Sequence, residues 1–389
     1  MTDTTPIRPA DRYTLAGARA TITDLMDRHR VPGLTVAVTD ADRLLHAEGF
    51  GDADLASGRP ATADTGYPWF SMSKIATATA AMRLADQDRL DLDAPVRDLV
   101  PTFAARSGAQ PRVRQLLNHT AGAPNPLPVR WVLPADAPDA AVDAFVRRLL
   151  ARHGRPTRPA DGPARYSNVG YLILAEVIAH TTGEPFESYM RRALLGRAGM
   201  SATGYTHRND VEYATGYVRL PRPLTPALRA ALPAGIVGDR YGEQLALRPF
   251  RVAGAGYGGL VGTAPDAARL LRLHLADGTI DGTRILAPAT ARTMRTVTTP
   301  GKPFDLGLGW FRRPADRHAR PGFVEHWGTG GGYWNAMRLY PDLGLGIVVM
   351  ANTTHAYDHH QLMSGLAAAF TRCQLRGTTS TAAANLHPQ

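Results

Sequence analysis

Two hairpin patterns at opposite ends of the chain constrain the fold more than any other feature. The stretch "LTVAVTDADRLLHAEGFG" (34–51) has two alternating apolar runs on either side of an Asp-Ala-Asp turn. The stretch "YWNAMRLYPDLGLGIVVMANT" (333–353) repeats this arrangement, with Pro341 and Asp342 at the turn. Such alternation around a turn is typical of antiparallel strands. Because a helix-like run flanks each hairpin, we predict one antiparallel sheet that is built from both chain ends and flanked by helices.

The sequence between the hairpins is mostly helical in pattern. The stretch "TAPDAARLLRLHLADG" (263–278) places Ala and Leu at helical spacing, and Thr263 or Asp266 can cap its start. The segment from about 205 to 257 is richer in Pro, Gly and Arg and less periodic, which predicts long loops over a cleft. We therefore expect a large helical lobe inserted into the sheet lobe.

This organisation gives an α/β plus all-α fold class. The predicted units are a discontinuous α/β domain (1–75 and 286–389), a mainly helical domain with cleft-covering loops (76–285) and a disordered tail (376–389).

Composition excludes several classes of protein. The chain has 389 residues, of which 44% are hydrophobic and 20% charged, so it can bury a large globular core. The net charge is +10, but the arginines are scattered among Asp and Glu, which does not favour a nucleic-acid partner. The first residues, "MTDTTPIRPADRYTL", have neither a basic nor an apolar signal region, and no later stretch is apolar over about twenty residues. We expect a cytoplasmic protein that has no membrane partner.

A short serine and lysine motif carries the chemistry. All 44 basic residues are arginine except Lys74 and Lys302. In "PWFSMSKIATA" (68–78), a helix that begins near Ser71 places Ser71 and Lys74 at i and i+3 on one face, whereas Ser73 diverges from its neighbour Lys74. A desolvated lysine can take the proton of a serine hydroxyl, and arginine cannot. The spacing therefore predicts Ser71 as nucleophile and Lys74 as its base.

The Ser-x-x-Lys pattern also occurs in serine β-lactamases and penicillin-binding proteins. The chain resembles the class C β-lactamase-related serine hydrolases, a group that includes family VIII carboxylesterases, D-amino-acid peptidases and some acyltransferases. Other segments carry the resemblance from about residue 31 to 352: "VPGLTVAV", "RLDLDAPVRDLVP", "LLNHTAGAP", "RYSNVGYLILAEVI", "GGLVGTAPDAARLL", "FDLGLGW" and "HWGTGGGYW". The resemblance implies a β-lactamase/penicillin-binding-protein-like fold with the active cleft between the lobes, and neither a metal nor an organic cofactor.

The second motif of the group, Tyr-x-Asn, falls on Tyr166 and Asn168. The resemblance implies that Tyr166 takes the Ser71 proton and passes it to the leaving group. We expect the ammonium of Lys74 to lower the pKa of the Tyr166 phenol. The Asn168 amide is suited to a hydrogen bond with Lys74 or with a substrate carbonyl.

The third motif is Lys-Thr-Gly in true β-lactamases and aligns here with His326, Trp327 and Gly328. Without that lysine no fixed ammonium binds a β-lactam carboxylate, so the pattern is similar to the esterases and D-peptidases of the group. The resemblance implies that these three residues contact substrate. Gly328 lets substrate lie along the strand edge, and the backbone N–H groups of Ser71 and Thr329 form the oxyanion hole.

These features favour a serine hydrolase that forms an acyl-Ser71 intermediate from a small ester or amide. An acyltransferase or transpeptidase of a secondary-metabolite pathway is the first alternative, and a non-catalytic binding protein of the same fold is the second. The sequence leaves the acyl acceptor and the oligomeric state open. Five aromatic residues could line an apolar acyl pocket or pack in the core: Trp69, Tyr257, Trp310, Tyr333 and Trp334.

Three other patterns are weaker. The stretch "GAGYGG" (254–259) matches a dinucleotide fingerprint but has no clear preceding strand. His119 is interpreted as part of a structural turn rather than as a partner of the nucleophile. Histidines near the carboxyl terminus have the i, i+4 spacing of a metal site, although a solvated cluster is favoured: His355, His359 and His360.

Overall fold

An antiparallel sheet of eight strands forms the centre of the structure. The computed structural model describes residues 15–106 and 108–384. The strands in this part of the chain are β1 (Gly33–Thr39), β2 (Leu44–Asp54), β3 (Arg59–Pro60), β4 (Gly66–Pro68), β5 (Val132–Pro134), β6 (Gly216–Arg219), β7 (Val237–Tyr241), β8 (Gln244–Leu247), β9 (Phe250–Val252), β10 (Val261–Thr263), β11 (Thr279–Ile280), β12 (Thr283–Arg284), β13 (Asp305–Leu306), β14 (Phe311–Arg312), β15 (Val324–Gly330), β16 (Tyr333–Tyr340) and β17 (Leu345–Ala351). The order in the large sheet is β13-β14-β15-β16-β17-β1-β2-β3.

Helices cover both faces of the sheet. In the described residues they are α1 (Leu15–His29), α2 (Ser73–Asp86), α3 (Val96–Leu99), α4 (Val113–Leu117), α5 (Asp139–His153), α6 (Asn168–Thr182), α7 (Phe186–Met190), α8 (Thr225–Ala231), α9 (Ala255–Gly258), α10 (Ala264–Leu275), α11 (Pro288–Arg295) and α12 (His359–Ala384). No helix among residues 15–106 and 108–384 combines the length and the apolar content that crossing a membrane requires.

The two chain ends meet in the middle of the sheet, as the sequence predicted. Strands β1 and β2 form the first hairpin, and β16 and β17 form the second. Strand β1 also pairs with β17 in antiparallel register, from Leu34 opposite Ala351 to Thr39 opposite Gly346. The prediction of one antiparallel sheet built from both ends is therefore confirmed.

Alternation along the central strands divides the core into two layers. Val36 and Val349 belong to a buried cluster with α1 and α12 on one face. Val348 and Met350 face the other way and join a larger cluster with α10 and the helices around α2 and α6. This is the period of two that a sheet buried on both faces requires. The hydroxyl of Thr263 accepts a hydrogen bond from Asp266 N–H and caps α10, so Thr263 is the cap of the two candidates.

The structure differs from the sequence prediction in the middle segment and at the carboxyl terminus. Residues 205–257 are not loops alone, because β6, β8 and β7 form a small antiparallel sheet there. These strands have only four or five residues, too few to give a clear alternating pattern. At the other end, α12 continues to Ala384, whereas a disordered tail was predicted from residue 376; residues 385–389 lie outside the described part.

The predicted division into two domains stays a prediction. Helix α10 falls in the predicted helical domain, yet it packs against β1 and β17 of the large sheet. This contact favours a return of the chain to the sheet layer before residue 286.

Candidate active site

Ser71 lies in a tight turn at the amino-terminal end of α2. Residues Phe70–Met72 form a single 3₁₀ turn, so α2 itself begins at Ser73 and not at Ser71 as the sequence suggested. Phe70 has a φ of 47°, which an aromatic residue rarely adopts. Its ring packs 6.1 Å from the rings of Phe250 and Tyr333, and this packing holds the turn in place. Ser71 is thereby presented at the surface of the cleft, partly exposed.

The structure distinguishes the two serines of the motif. The Nζ of Lys74 lies 2.9 Å from the Oγ of Ser71. The Oγ of Ser73 accepts a hydrogen bond from the backbone N–H of Leu260 at 3.2 Å, and Ser73 is buried. The i, i+3 geometry predicted for Ser71 is therefore present, and Ser73 connects α2 to the segment before β10.

Lys74 is fully buried and surrounded by neutral hydrogen-bond acceptors. In addition to Ser71, its Nζ contacts the Oδ1 of Asn168 at 2.8 Å and the backbone carbonyl of Tyr257 at 2.9 Å. The exposed fraction of the side chain is 0%. Burial lowers the pKa of Lys74 well below its usual value. A lysine in this environment favours the neutral amine, which can accept a proton.

Tyr166 lies beside Ser71 and Lys74, but its pKa moves opposite to the expected direction. The Nζ of Lys74 lies 4.8 Å from the centre of the Tyr166 ring, and the Tyr166 hydroxyl is close enough to Ser71 for a hydrogen bond to affect its pKa. Burial raises the pKa of the Tyr166 phenol, and the hydrogen bond to Ser71 opposes this only in part. The expected lowering was wrong for the resting state because burial of the phenol, which disfavours the phenolate, has the largest effect on its pKa.

The loop before α6 fixes the orientation of Tyr166 and Asn168. The Oγ of Ser167 accepts from Gly170 N–H at 2.9 Å and caps α6, whose first residue is Asn168. The backbone N–H of Asn168 donates to the Oδ1 of Asn125 at 3.0 Å. Asn125 was not singled out from the sequence, since it lies more than forty residues away in a loop.

His119 contributes a second support for the same loop. Its ring stacks on Tyr166 at 4.7 Å, and its Nδ1 accepts the backbone N–H of Ser167 at 3.0 Å. Burial, with a smaller effect of Lys74, lowers the pKa of His119 to about 3, so the ring is neutral. Because Nδ1 already accepts a hydrogen bond from Ser167, the contacts are those of a structural residue, as interpreted from the sequence. The stacking on Tyr166 shows in addition that the turn around His119 positions Tyr166.

Strand β15 runs directly past the nucleophile turn. A Cβ added to Gly328 would lie 1.9 Å from the carbonyl oxygen of Trp69, so only glycine permits this approach. Thr329 follows and is exposed. Strand β14 pairs with β15 at Glu325 alone, which leaves the segment from His326 to Gly330 without a strand partner on that side among the described residues. An extended substrate can lie along this edge.

The neighbours of Gly328 have different surroundings. His326 is buried, its Nδ1 donates to the carbonyl of Trp327 at 2.9 Å, and its ring lies 6.0 Å from that of Tyr166. Burial and then Lys74 lower the pKa of His326 well below its usual value. The Trp327 side chain instead contacts the rings of Phe304 and His359, at 5.3 and 5.1 Å. The structure does not bring it to Ser71, because successive side chains of a strand point to opposite faces.

The aromatic residues proposed for an apolar pocket are mostly core residues. Trp69 and Trp310 have exposed fractions of 0%, and Tyr257 and Tyr333 of 5%. A hollow of about 610 Å³ does lie beside Tyr166, but its walls come from residues 123–126, 157–158, 165–166 and 302–304 together with His153. The space next to Tyr166 is therefore built mostly by loops.

The carboxyl-terminal histidines surround a buried ion pair. The Oε2 of Glu325 accepts from Nε and Nη2 of Arg338 at 2.8 and 2.6 Å, and both side chains are almost completely buried. His359, His360 and Glu325 bring ligand atoms within 4.8 Å of one another. However, Arg338 donates to the Nδ1 of His360, so the neutral ring carries its proton on Nε2, where a metal would bind. His355 lies apart and contacts the carbonyl of Arg219.

Comparisons with known proteins agree with this geometry. A family model described as beta-lactamase matches residues 18–370. Penicillin-binding protein 4 of Amycolatopsis lactamdurans is 30% identical over 344 residues, which cover 84% of this chain and 82% of that protein. Esterase EstB of Burkholderia gladioli is 28% identical over 356 residues, with 84% and 87% covered. Among solved structures, the D-amino acid amidase of Ochrobactrum anthropi SV3 in complex with D-phenylalanine superposes with a TM-score of 0.72 at 22% identity, covering 92% of this chain and 99% of the amidase.

Proposed function

The chain belongs to the beta-lactamase family and is a serine hydrolase, and we propose that it cleaves a small ester or amide through an acyl group carried on Ser71. One observation carries the proposal. The Nζ of the buried Lys74 lies 2.9 Å from the Oγ of Ser71 and has only neutral oxygens as its other partners. This arrangement favours the neutral amine, which can take the proton of the hydroxyl.

In the proposed acylation step, Lys74 takes the proton of Ser71 as Oγ forms a bond to the acyl carbon. The backbone N–H groups of Ser71 and Thr329 stabilise the negative charge on the carbonyl oxygen. Asn168 keeps the amine oriented through its Oδ1, and the free edge of β15 at Gly328 aligns the substrate.

Tyr166 is the proposed acid for the leaving group. At rest it is a neutral phenol, because burial raises its pKa. Once Lys74 holds the Ser71 proton, an ammonium lies 4.8 Å from the ring centre and lowers the pKa of the phenol. The phenol then gives its proton to the leaving oxygen or nitrogen as the bond to the acyl carbon breaks. The lowering of the Tyr166 pKa by Lys74 that the sequence predicted is therefore proposed for the state in which Lys74 has taken the Ser71 proton.

Deacylation follows by the reverse proton movements. The Tyr166 phenolate takes a proton from water as the water oxygen bonds to the acyl carbon. The bond to Ser71 Oγ breaks, and Oγ recovers its proton from Lys74. Each step balances with the side chains already described and needs no further cofactor.

Two features support an ester or small amide over a β-lactam. His326 replaces the lysine of the third motif, and its lowered pKa leaves it uncharged, so this position cannot hold a carboxylate as an ammonium does. One of the relatives with wide coverage is an esterase. We propose that the Nε2 of His326 instead accepts a single hydrogen bond from the substrate, because Nδ1 already donates to the Trp327 carbonyl.

Covalent labelling tests the nucleophile. Wild-type protein treated with a fluorophosphonate should gain the mass of one phosphonyl group, and the label should map to the peptide that contains Ser71. The Ser71→Ala variant should not be labelled, whereas the matched Ser73→Ala variant should be. Labelling that persists without Ser71, or a folded wild-type protein that is never labelled, contradicts the proposal.

A second experiment separates hydrolysis from acyl transfer. A short-chain nitrophenyl ester is incubated with and without alcohols and amines, and both acid and acyl products are quantified. Hydrolysis predicts free acid at a similar rate in every mixture. Turnover that requires an acceptor assigns the protein to the acyltransferases or transpeptidases instead.

The proposed location is the cytoplasm, and the proposed substrate is a small molecule. Fractionation of the source cells, with activity measured in each fraction, tests the location. Activity confined to the membrane or the medium would contradict it.

A further inference from the structure

The hollow beside Tyr166 has a strongly positive lining. It measures about 610 Å³, and Arg158, Arg165 and Lys302 contribute to its walls together with Tyr166 and Phe304. All three cationic side chains are exposed to solvent. They come from two separate segments of the chain, and one is the second of the two lysines. The fold therefore gathers three positive charges at the same opening.

These charges are not balanced by protein carboxylates. Many arginines elsewhere have a carboxylate partner, for example Arg114 with Asp93 and Arg317 with Asp305. Within residues 15–106 and 108–384, no ion pair involves Arg158, Arg165 or Lys302, and no Asp or Glu lines the hollow.

The carboxylates nearest to these cations in sequence have other hydrogen-bond partners. Asp305 follows Lys302 by three residues but is held by Arg317. Asp161 lies between the two arginines in sequence, accepts a hydrogen bond from Gln115 and does not line the hollow. The positive charge is therefore available to a ligand.

We propose that this hollow binds an anionic group, a carboxylate or a phosphate, on the leaving-group side of the acyl donor. The inference rests on the proposed function. Tyr166 protonates the leaving group, so the leaving group must lie against Tyr166, and Tyr166 is a wall of the hollow. An anion carried on the leaving group can then enter the hollow that Arg158, Arg165 and Lys302 line. Binding there orients the scissile bond between Ser71 and Tyr166.

Matched esters test the charge directly. The acetate ester of 3-hydroxybenzoate carries an anion on the leaving group, and the acetate ester of 3-hydroxybenzamide is its neutral counterpart. The acetate ester of 3-hydroxyphenyl phosphate distinguishes phosphate from carboxylate. The readout is the ratio of kcat/KM for an anionic ester to that for the neutral ester, so that any effect of a variant on the chemical step common to both esters cancels. Wild type should have a ratio above one for at least one anion.

A charge-matched pair of variants locates the effect. In Arg158→Gln/Lys302→Gln the ratio should fall about fivefold or more, as expected for two partly solvated charge contacts. The control Arg19→Gln/Arg28→Gln removes the same charge from α1, where both side chains are exposed, and should keep the wild-type ratio. Raising the salt concentration from about 0.05 to 0.5 M should reduce the wild-type ratio and change the double variant less.

The outcomes separate this inference from the proposed function. If acyl-Ser71 forms from the neutral ester but wild type shows no preference for either anion, the inference fails and the proposed function stands. The inference also fails, and the proposed function also stands, if both double variants change the ratio equally. If no ester gives acyl-Ser71, the proposed function fails and the inference with it.

Discussion

The substitution Asn168→Asp tests the role of Lys74 with almost no change in shape. The Oδ1 of Asn168 lies 2.8 Å from the Nζ of Lys74, so the variant places a carboxylate beside the amine. At that distance and an effective dielectric constant of about 20, the attraction between unit charges is about 6 kcal/mol. Water in the cleft and partial protonation of the new carboxylate reduce this attraction. If half of the attraction remains, the pKa of Lys74 rises by about two units.

Asn168→Asp should slow acylation near neutral pH, because the neutral amine is the form of Lys74 that takes the proton of Ser71. Burial lowers the pKa of Lys74 and provides the neutral amine, whereas the carboxylate raises the pKa and keeps the ammonium. A rise of about two units reduces the neutral fraction about a hundredfold at a pH below the new pKa. Acylation by Asn168→Asp should therefore be slow near pH 7 and recover as the pH rises.

The assay is the pre-steady-state release of nitrophenol from an activated ester between pH 6 and 10. Asn209→Asp adds the same charge at an exposed loop position and should reproduce the wild-type profile. An unchanged pH profile in Asn168→Asp would show that the protonation state of Lys74 does not control acylation. A loss of rate that is equal at every pH would also argue against this control, because Asn168 would then orient groups without controlling the charge of Lys74.

Three further predictions concern the same structure. Lys74→Arg replaces the amine with a guanidinium that cannot lose its proton, so acylation should fall about 10²- to 10⁴-fold at every pH in the burst assay. A burst of wild-type rate would contradict the base role. Tyr166→Phe keeps the ring that stacks on His119 but removes the proposed acid. The kcat for alkyl esters should therefore fall much more than the kcat for nitrophenyl esters, whose leaving group needs no proton. An equal fall in kcat for both kinds of ester would argue against the acid role. Glu325→Gln breaks the buried pair with Arg338 and should lower the free energy of unfolding by about 3–5 kcal/mol in denaturant titrations. The double variant Glu325→Gln/Arg338→Met leaves no isolated charge and should lose less unfolding free energy. Equal losses of unfolding free energy in the two variants would show that the isolated charge is not the cause.

The sequence was sufficient for the features that depend on local periodicity and short spacing. Alternation over 34–51 and 333–353 was long enough to predict both hairpins and their sheet. The contact of Ser71 with Lys74 follows from a single helical turn, which geometry fixes within four residues.

Features that depend on distant loops or on burial could not be predicted. The partners that orient Tyr166 and Asn168 come from His119 and Asn125, and no spacing rule connects those positions. The pKa of Tyr166 was predicted in the wrong direction because the sequence does not reveal how strongly the surrounding loops bury the phenol. The side chain of Trp327 was placed near substrate because motif alignment ignores the alternation of a strand.

Turnover through an acyl group on Ser71 can be tested by a rapid acid quench during steady-state turnover of an ester, followed by intact mass measurement and peptide mapping. Wild type should show a mass increase equal to the acyl group, located on Ser71. The adduct should form and decay at rates compatible with kcat and should be absent from Ser71→Ala. Turnover by wild type without an acyl adduct at Ser71, or ester turnover by Ser71→Ala at the wild-type rate, would contradict turnover through acyl-Ser71.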